Sequence, residues 1–136
     1  MTKKEVLFPF EPVPKGRPRF TRMGHAYTPK KTADFEKAIA DYYAKVCGHK
    51  FDSAISVTLA FQMPIPKSIT KKQRAKIIDG TVKYTKKPDA DNLAKAVLDA
   101  LNGVAYTDDS LITKLRISKY YSENPAVWMI IREDIE

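Results

Sequence analysis

Five aspartates fall between residues 89 and 109, at Asp89, Asp91, Asp99, Asp108 and Asp109, with Lys95 as the only cation among them. The whole chain carries a net charge of +8, and basic residues flank this acid on both sides. Carboxylates brought together repel, so some must protonate or find a cation. A helix N-terminus supplies only about half a charge. Mg²⁺ or Mn²⁺ suits an all-oxygen donor set, and Mg²⁺ takes few carboxylates, keeps waters and completes its shell with substrate phosphate. Such acid inside a basic surface suits phosphodiester hydrolysis: the base draws in a polyanion, and the ion offsets charge developing on phosphate and activates water. The same residues also allow a plainer reading, a surface ladder in which Lys95 pairs with Asp91 and Asp99 while Asp89 and Asp91 cap a helix.

The metal reading depends on how the chain returns. A helix from Asp91 to Asn102 is ~18 Å long at 1.5 Å per residue, and the segment Gly103–Asp109 spans at most ~23 Å. A turn at Gly103 is therefore expected to carry Asp109 back beside Asp89 and Asp91. Other ligand patterns fit less well. An EF-hand loop starting at Asp89 needs Gly at its sixth place and Glu at its twelfth, where this chain has Ala94 and Ala100. Asp89-Ala90-Asp91 is also a D-x-D tripeptide of the sugar-nucleotide transferase kind, in a chain small and basic for such an enzyme. His25 and His49 lack ligand spacing, and Ser110 has no nearby His to activate it.

The elements that must position these residues follow from patterning. The chain has 136 residues, 43% hydrophobic and 29% charged, which suits one globular domain over 1–136. Val6, Phe8 and Phe10 alternate as a strand over 5–10. A long Pro-, Gly- and base-rich loop follows, with a possible ribbon turning at Gly24; Pro14–Lys31 holds six Lys/Arg and no acid. Thr32 can cap a helix with Phe35, Ile39, Tyr42 and Val46 on one face. Ile55, Val57, Leu59, Phe61 and Met63 mark the cleanest strand, and Ser68 can cap a short basic helix closed by Gly80. The block Lys67–Lys87 holds eight Lys/Arg against Asp79 alone. Leu93, Val97, Ala100 and Leu101 line a third helix; strands near 111–118 and 127–132 follow and are expected to close as a hairpin. The order β-α-β-α-α-β-β predicts an α/β (α+β) fold, a small mixed sheet packed with about three helices. Lone Cys47 forms no internal disulfide, no apolar run reaches the length of a membrane span, and Pro9 breaks the N-terminal apolar run. These features fit a cytoplasmic protein without a signal peptide or membrane partner.

The stretch KPDADNLAKAVLDALNGVAYTDDSLI resembles the signature of the RusA family of Holliday-junction resolvases, small endodeoxyribonucleases of phages and prophages. The pattern P-D-x-D-N-L-x-K…D-A-L-N-G…Y-x-D-D is long, and the similarity continues through PVPKGRPRF, PIPKSITKKQRAKIIDG and the last strands. The resemblance implies a homodimer in a bacterial host that binds four-way DNA junctions and nicks two strands symmetrically in DNA recombination and repair. It implies Mg²⁺, with Mn²⁺ a substitute, and no nucleotide cofactor. It places the family carboxylates on Asp89, Asp91 and Asp109 as metal ligands and the essential lysine on Lys95, with Asp108 and Asp99 at further acidic positions. Pro88 stands where a family member carries Arg, so Lys86 or Lys87 is expected to supply that charge. Lys15, Arg17, Arg19 and Arg22 are expected to meet phosphates, which position DNA without reading its sequence; Lys114, Arg116 and Tyr120 are weaker candidates. Two rivals remain open, a flap- or branch-trimming nuclease and a basic junction-binding module that does not cut.

Overall fold

The computed structural model describes residues 2–135; Met1 and Glu136, the ends of the expected 1–136 domain, lie outside the described residues. The fold is mixed α and β, with three helices, a mixed sheet of four strands and a small two-stranded ribbon. The strands are β1 (Lys3–Phe8), β2 (Arg19–Phe20), β3 (Ala26–Tyr27), β4 (Ile55–Pro64), β5 (Ile112–Ser122) and β6 (Ala126–Glu133). The helices are α1 (Lys30–Val46), α2 (Lys71–Ile78) and α3 (Ala90–Leu101).

The main sheet runs β1-β6-β4-β5. β4 takes the centre because its alternating apolar set is buried throughout: Ile55, Val57, Leu59, Phe61 and Met63. It pairs parallel with β5 and antiparallel with β6. The expected closing hairpin is therefore corrected. β5 and β6 lie on opposite sides of β4, and the short Glu123–Pro125 connection crosses the end of that strand. β5 is mostly exposed and forms one edge.

α1 and α3 pack against each other and share one hydrophobic core with the sheet. In α1 the buried stripe is Phe35, Ile39 and Tyr43. Tyr43 replaces the expected Tyr42 and Val46 because a strict spacing of four keeps all three side chains over the sheet. Its phenol donates to the carbonyl of His49. α1 starts at Lys30 after Pro29, so Thr32 is not its cap. Buried Thr32 instead takes the Gly16 N–H on its Oγ1 at 2.9 Å and donates to the Pro14 carbonyl at 3.3 Å. A Cβ on Gly16 would stand 2.9 Å from both Pro29 Cγ and Thr32 Oγ1, so only glycine fits that approach.

α2 is capped by Thr70, not Ser68. The Thr70 side chain accepts the Gln73 amide, and the Gln73 side chain reaches back to the Thr70 amide. This capping box matters because α2 has eight residues and buries none of them, and so short a helix is marginal without such help.

Candidate active site

At the start of α3, Asp89 is the N-cap, in extended conformation with φ −68° and ψ 148°, and its carbonyl accepts the Leu93 amide at 3.1 Å. A capping aspartate ordinarily accepts an amide of the first turn on its side chain. The Asp89 side chain makes no such bond. It is exposed, with the Lys87 ammonium 3.7 Å away. Asp91, in the first turn, is also exposed and takes no ion-pair partner among the described residues. Two exposed carboxylates thus stand at the positive end of a helix, neither bonded to that helix's own amides through its side chain as a cap. The chain reaches them through a cis Lys87–Pro88 bond.

The return after Gly103 corrects the expected geometry. Asp109 does not come back to the start of α3; its amide donates to Asn102 Oδ1 at 3.1 Å, at the helix C-terminus. The cause is Tyr106. Its ring is fully buried and its hydroxyl donates to the Leu98 carbonyl at 2.6 Å. The backbone beside it is spent on Phe51, through Phe51 N–H to Ala105 O at 2.8 Å and Thr107 N–H to Phe51 O at 3.0 Å. Those bonds consume the return before it can run the length of the helix. Burial first, then the charges of Asp109 and Asp99, push the Tyr106 phenol above its ordinary range. Among the described residues no group of three or more His, Cys, Asp or Glu side chains is gathered closely enough to hold a metal ion.

Asp108 caps a 3-10 turn, Asp109–Leu111, by accepting the Ser110 amide at 3.0 Å. The Ser110 side chain first, and then its amide, hold the Asp108 carboxyl below the usual carboxylate range. Its work is local; both members of the pair are exposed, and Asp109 is the one whose side chain does not cap the turn.

Along the middle of α3, Lys95 lies 3.6 Å from Asp99, the i,i+4 pair expected from spacing. Asp99 has a second partner that the sequence did not reveal. The Lys15 ammonium lies 3.2 Å from Asp99 and 2.7 Å from Glu36, and the Lys15 amide donates to the Asn92 carbonyl at 3.0 Å. Partial burial alone would lower the Lys15 ammonium, but the bonds to Glu36 and Asp99 outweigh it and hold it above its usual value. Lys15, expected to meet phosphate, is thus committed to fastening the loop onto α1 and α3. No local spacing signals this, since Glu36 is 21 residues away in sequence.

Beyond that anchor the ribbon β2–β3 turns at Gly24, whose φ is +80°. Arg17, Arg19 and Arg22 are all exposed, alongside exposed Phe20 and Met23. A second basic surface lies at the Asp89 end. α2 carries Lys71, Lys72, Arg74 and Lys76, and Arg74 ties it to the end of β5 through Glu123 at 2.9 Å. Lys86 and Lys87 are exposed on the connection to α3. Replacing Arg17, Arg19 and Arg22 with Ala is expected to weaken DNA binding evenly across sequences. The slope of log affinity against log salt should shrink by ~0.9 for each phosphate that is no longer neutralised, as read by fluorescence anisotropy across a salt series.

The donor set fits a hard divalent cation. Asp89 and Asp91 offer only oxygens, and Mg²⁺ commonly asks for one or two carboxylates plus waters and phosphate. A family model described as Endodeoxyribonuclease RusA matches residues 9–132. The chain is also 39% identical over 132 residues to the uncharacterized protein YqaN of Bacillus subtilis (strain 168), an alignment covering 90% of this chain and 91% of that one. The family match runs from the end of β1 into β6 and contains every acidic and basic residue placed above, so the chain belongs to the RusA endodeoxyribonuclease family.

Proposed function

We propose that this nuclease resolves four-way DNA junctions by paired, symmetric nicks in a Mg²⁺-dependent reaction, acting in the cytoplasm as a homodimer of one 1–136 domain, with Mn²⁺ able to replace Mg²⁺. The observation that carries this reading is the N-cap Asp89, which leaves its own helix uncapped and offers its oxygens outward beside Asp91. Asp89 and Asp91 would hold the ion, which would supply charge neutralisation at the scissile phosphate and a more acidic water for its hydrolysis. Lys95 is exposed, and its 3.6 Å contact with Asp99 is a loose surface pair. Such a pair is worth only tenths of a kcal/mol, so Lys95 is free to swing to a phosphate oxygen. Arg17, Arg19, Arg22, Lys86, Lys87 and the cations of α2 hold the backbone of the DNA arms.

Asp109 stands at the other end of the same helix, and the dimer supplies a place for it. In a twofold dimer, Asp109 of one copy completes the Asp89–Asp91 site of the other. This reading keeps all three family carboxylates at one ion without moving Tyr106 from its seat.

The test is cleavage of an end-labelled four-way junction with and without Mg²⁺. The expected products are nicks at symmetry-related positions on opposing strands, absent in EDTA and absent for Asp91→Asn, which still binds the junction. Scattered or single cuts, with equal activity on flapped DNA, identify a trimming nuclease instead. Binding with no cutting by the wild-type chain identifies a module for which the aspartates only cap and pair.

A further inference from the structure

Lys119 lies on β5 opposite Phe61 of β4, on the sheet face that α3 covers. Its ammonium donates to the Lys86 carbonyl at 2.8 Å and to the Pro88 carbonyl at 2.9 Å. It also stands 5.2 Å from the centre of the Tyr84 ring. Tyr84 in turn donates its hydroxyl to the Lys87 carbonyl at 2.9 Å and packs edge-on against Tyr121 of β5, with ring centres 4.8 Å apart. Three consecutive carbonyls, those of residues 86, 87 and 88, are therefore held by two side chains fixed to the edge strand. The next residue is Asp89.

Among the described residues no carboxylate lies within ion-pair distance of Lys119, so its charge is spent on backbone. A lysine with a salt-bridge partner needs no further explanation; one committed to two carbonyls ahead of a helix cap holds that segment in one conformation. The segment needs such a hold. α2 before it is shallowly attached, and residues 79–89 contain no regular element. Lysine bonds to neutral carbonyls are charge-assisted and stronger than amide bonds to the same groups.

We infer that Lys119 is a positioning residue for the candidate metal site: it clamps the backbone at residues 86 and 88, fixes the Asp89 cap and so sets the affinity of the Asp89–Asp91 pair for a divalent ion. The consequence for metal rests on the proposed function; the clamp itself does not. Groups that orient metal ligands from behind typically change affinity 10–100-fold when removed.

The experiment uses Lys119→Met, which keeps the stem and removes the charge, and Lys119→Arg, which keeps both. Two quantities are read on the metal-free, full-length protein: amide exchange by NMR and Mn²⁺ affinity by calorimetry. The Leu93 amide, whose acceptor is the Asp89 carbonyl, is expected to lose about tenfold of its protection in the Met variant. Val97, buried in the middle of α3, is expected to keep its protection and so reports that the fold is intact. The Mn²⁺ dissociation constant should rise about tenfold or more, while junction affinity in EDTA stays at the wild-type value. The Arg variant should restore both readings. Tyr84→Phe, which loses only the bond to the Lys87 carbonyl, should shift both in the same direction by less, and it stands in should the Met variant not fold. Unchanged Leu93 exchange overturns the inference, as does faster exchange with unchanged Mn²⁺ affinity. A wild-type chain that neither binds Mn²⁺ nor cuts DNA overturns the proposed function and not the clamp, which faster Leu93 exchange still supports.

Discussion

Mixing two inactive variants is expected to restore cutting. Asp109→Asn alone, and Asp89→Asn combined with Asp91→Asn, should each lower cleavage by ~10³-fold or more, the scale of losing a metal's charge stabilisation. Co-refolded in equal amounts, they should form the proposed dimers in mixed pairs, in which one composite site would hold intact Asp89 and Asp91 from one copy and intact Asp109 from the other. The second site of the same dimer carries every defect. Random pairing leaves about a quarter of the wild-type sites, so the mixture should nick junctions at about that fraction of the wild-type rate. It should cut one strand per binding event, not two. The geometry explains why this outcome is specific. Ligands of one Mg²⁺ each lie ~2.1 Å from it, so carboxylates that share the ion stand within ~5 Å of one another. Asp89 caps one end of α3 and Asp109 is bonded at the other, a helix of ~18 Å. If Asp109 acted within its own chain, the mixture would stay as inactive as its parts, and the composite site would be wrong.

The elements of this protein were legible where one residue class repeats at one period. β4 declared itself by strict alternation, and α3 by Leu93, Val97 and Leu101, all of which are buried. The grouping of acid inside base was legible as composition, and Asp89 and Asp91 do fall at the start of a helix. What the sequence hid were the long-range choices. β5 and β6 are neighbours in sequence with hairpin spacing, yet the more apolar β4 drew one to each side. Thr32 resembles a helix cap, but Pro14 and Gly16 claim its hydroxyl from across the loop. Lys15 sits in a basic run, and nothing local signals that Glu36 and Asp99 meet it from two helices. The placement of Asp109 turned on one aromatic residue. Contour length permitted the return to the start of α3, but burial of Tyr106 fixed its end elsewhere.

That makes Tyr106 a residue whose loss should have a large effect on stability and a second, separable effect on the site. Tyr106→Ala removes one of the largest fully buried side chains, and truncating a buried aromatic ring costs about 3–5 kcal/mol. Against a total stability of roughly 5–15 kcal/mol, the variant should melt far below the wild type in thermal or urea unfolding. Tyr106→Phe keeps the ring and removes only the hydroxyl. Leu98 lies in the last turn of α3, and the Asn102 amide bonds to Asp99 and not to Leu98, so the Tyr106 hydroxyl serves a carbonyl at a helix end. Losing it should cost about 1 kcal/mol. The alkaline limb separates the two roles of the side chain. Because burial raises the phenol in the folded protein above the ordinary 10.0, its contribution is fully present below that pH and declines as pH rises above it, at up to ~1.4 kcal/mol per pH unit for each such group. Tyr43 is raised in the same way by burial, so Tyr106→Phe should lessen the alkaline loss of stability without abolishing it. An unchanged alkaline slope would show that the phenol already ionises normally in the folded chain and is not sealed against α3. Cleavage then gives the second reading. The Phe variant should cut near the wild-type rate, since the ring still ends the return at Asn102. The Ala variant, assayed well below its melting temperature, should cut poorly, because the turn that carries Asp109 no longer has a seat.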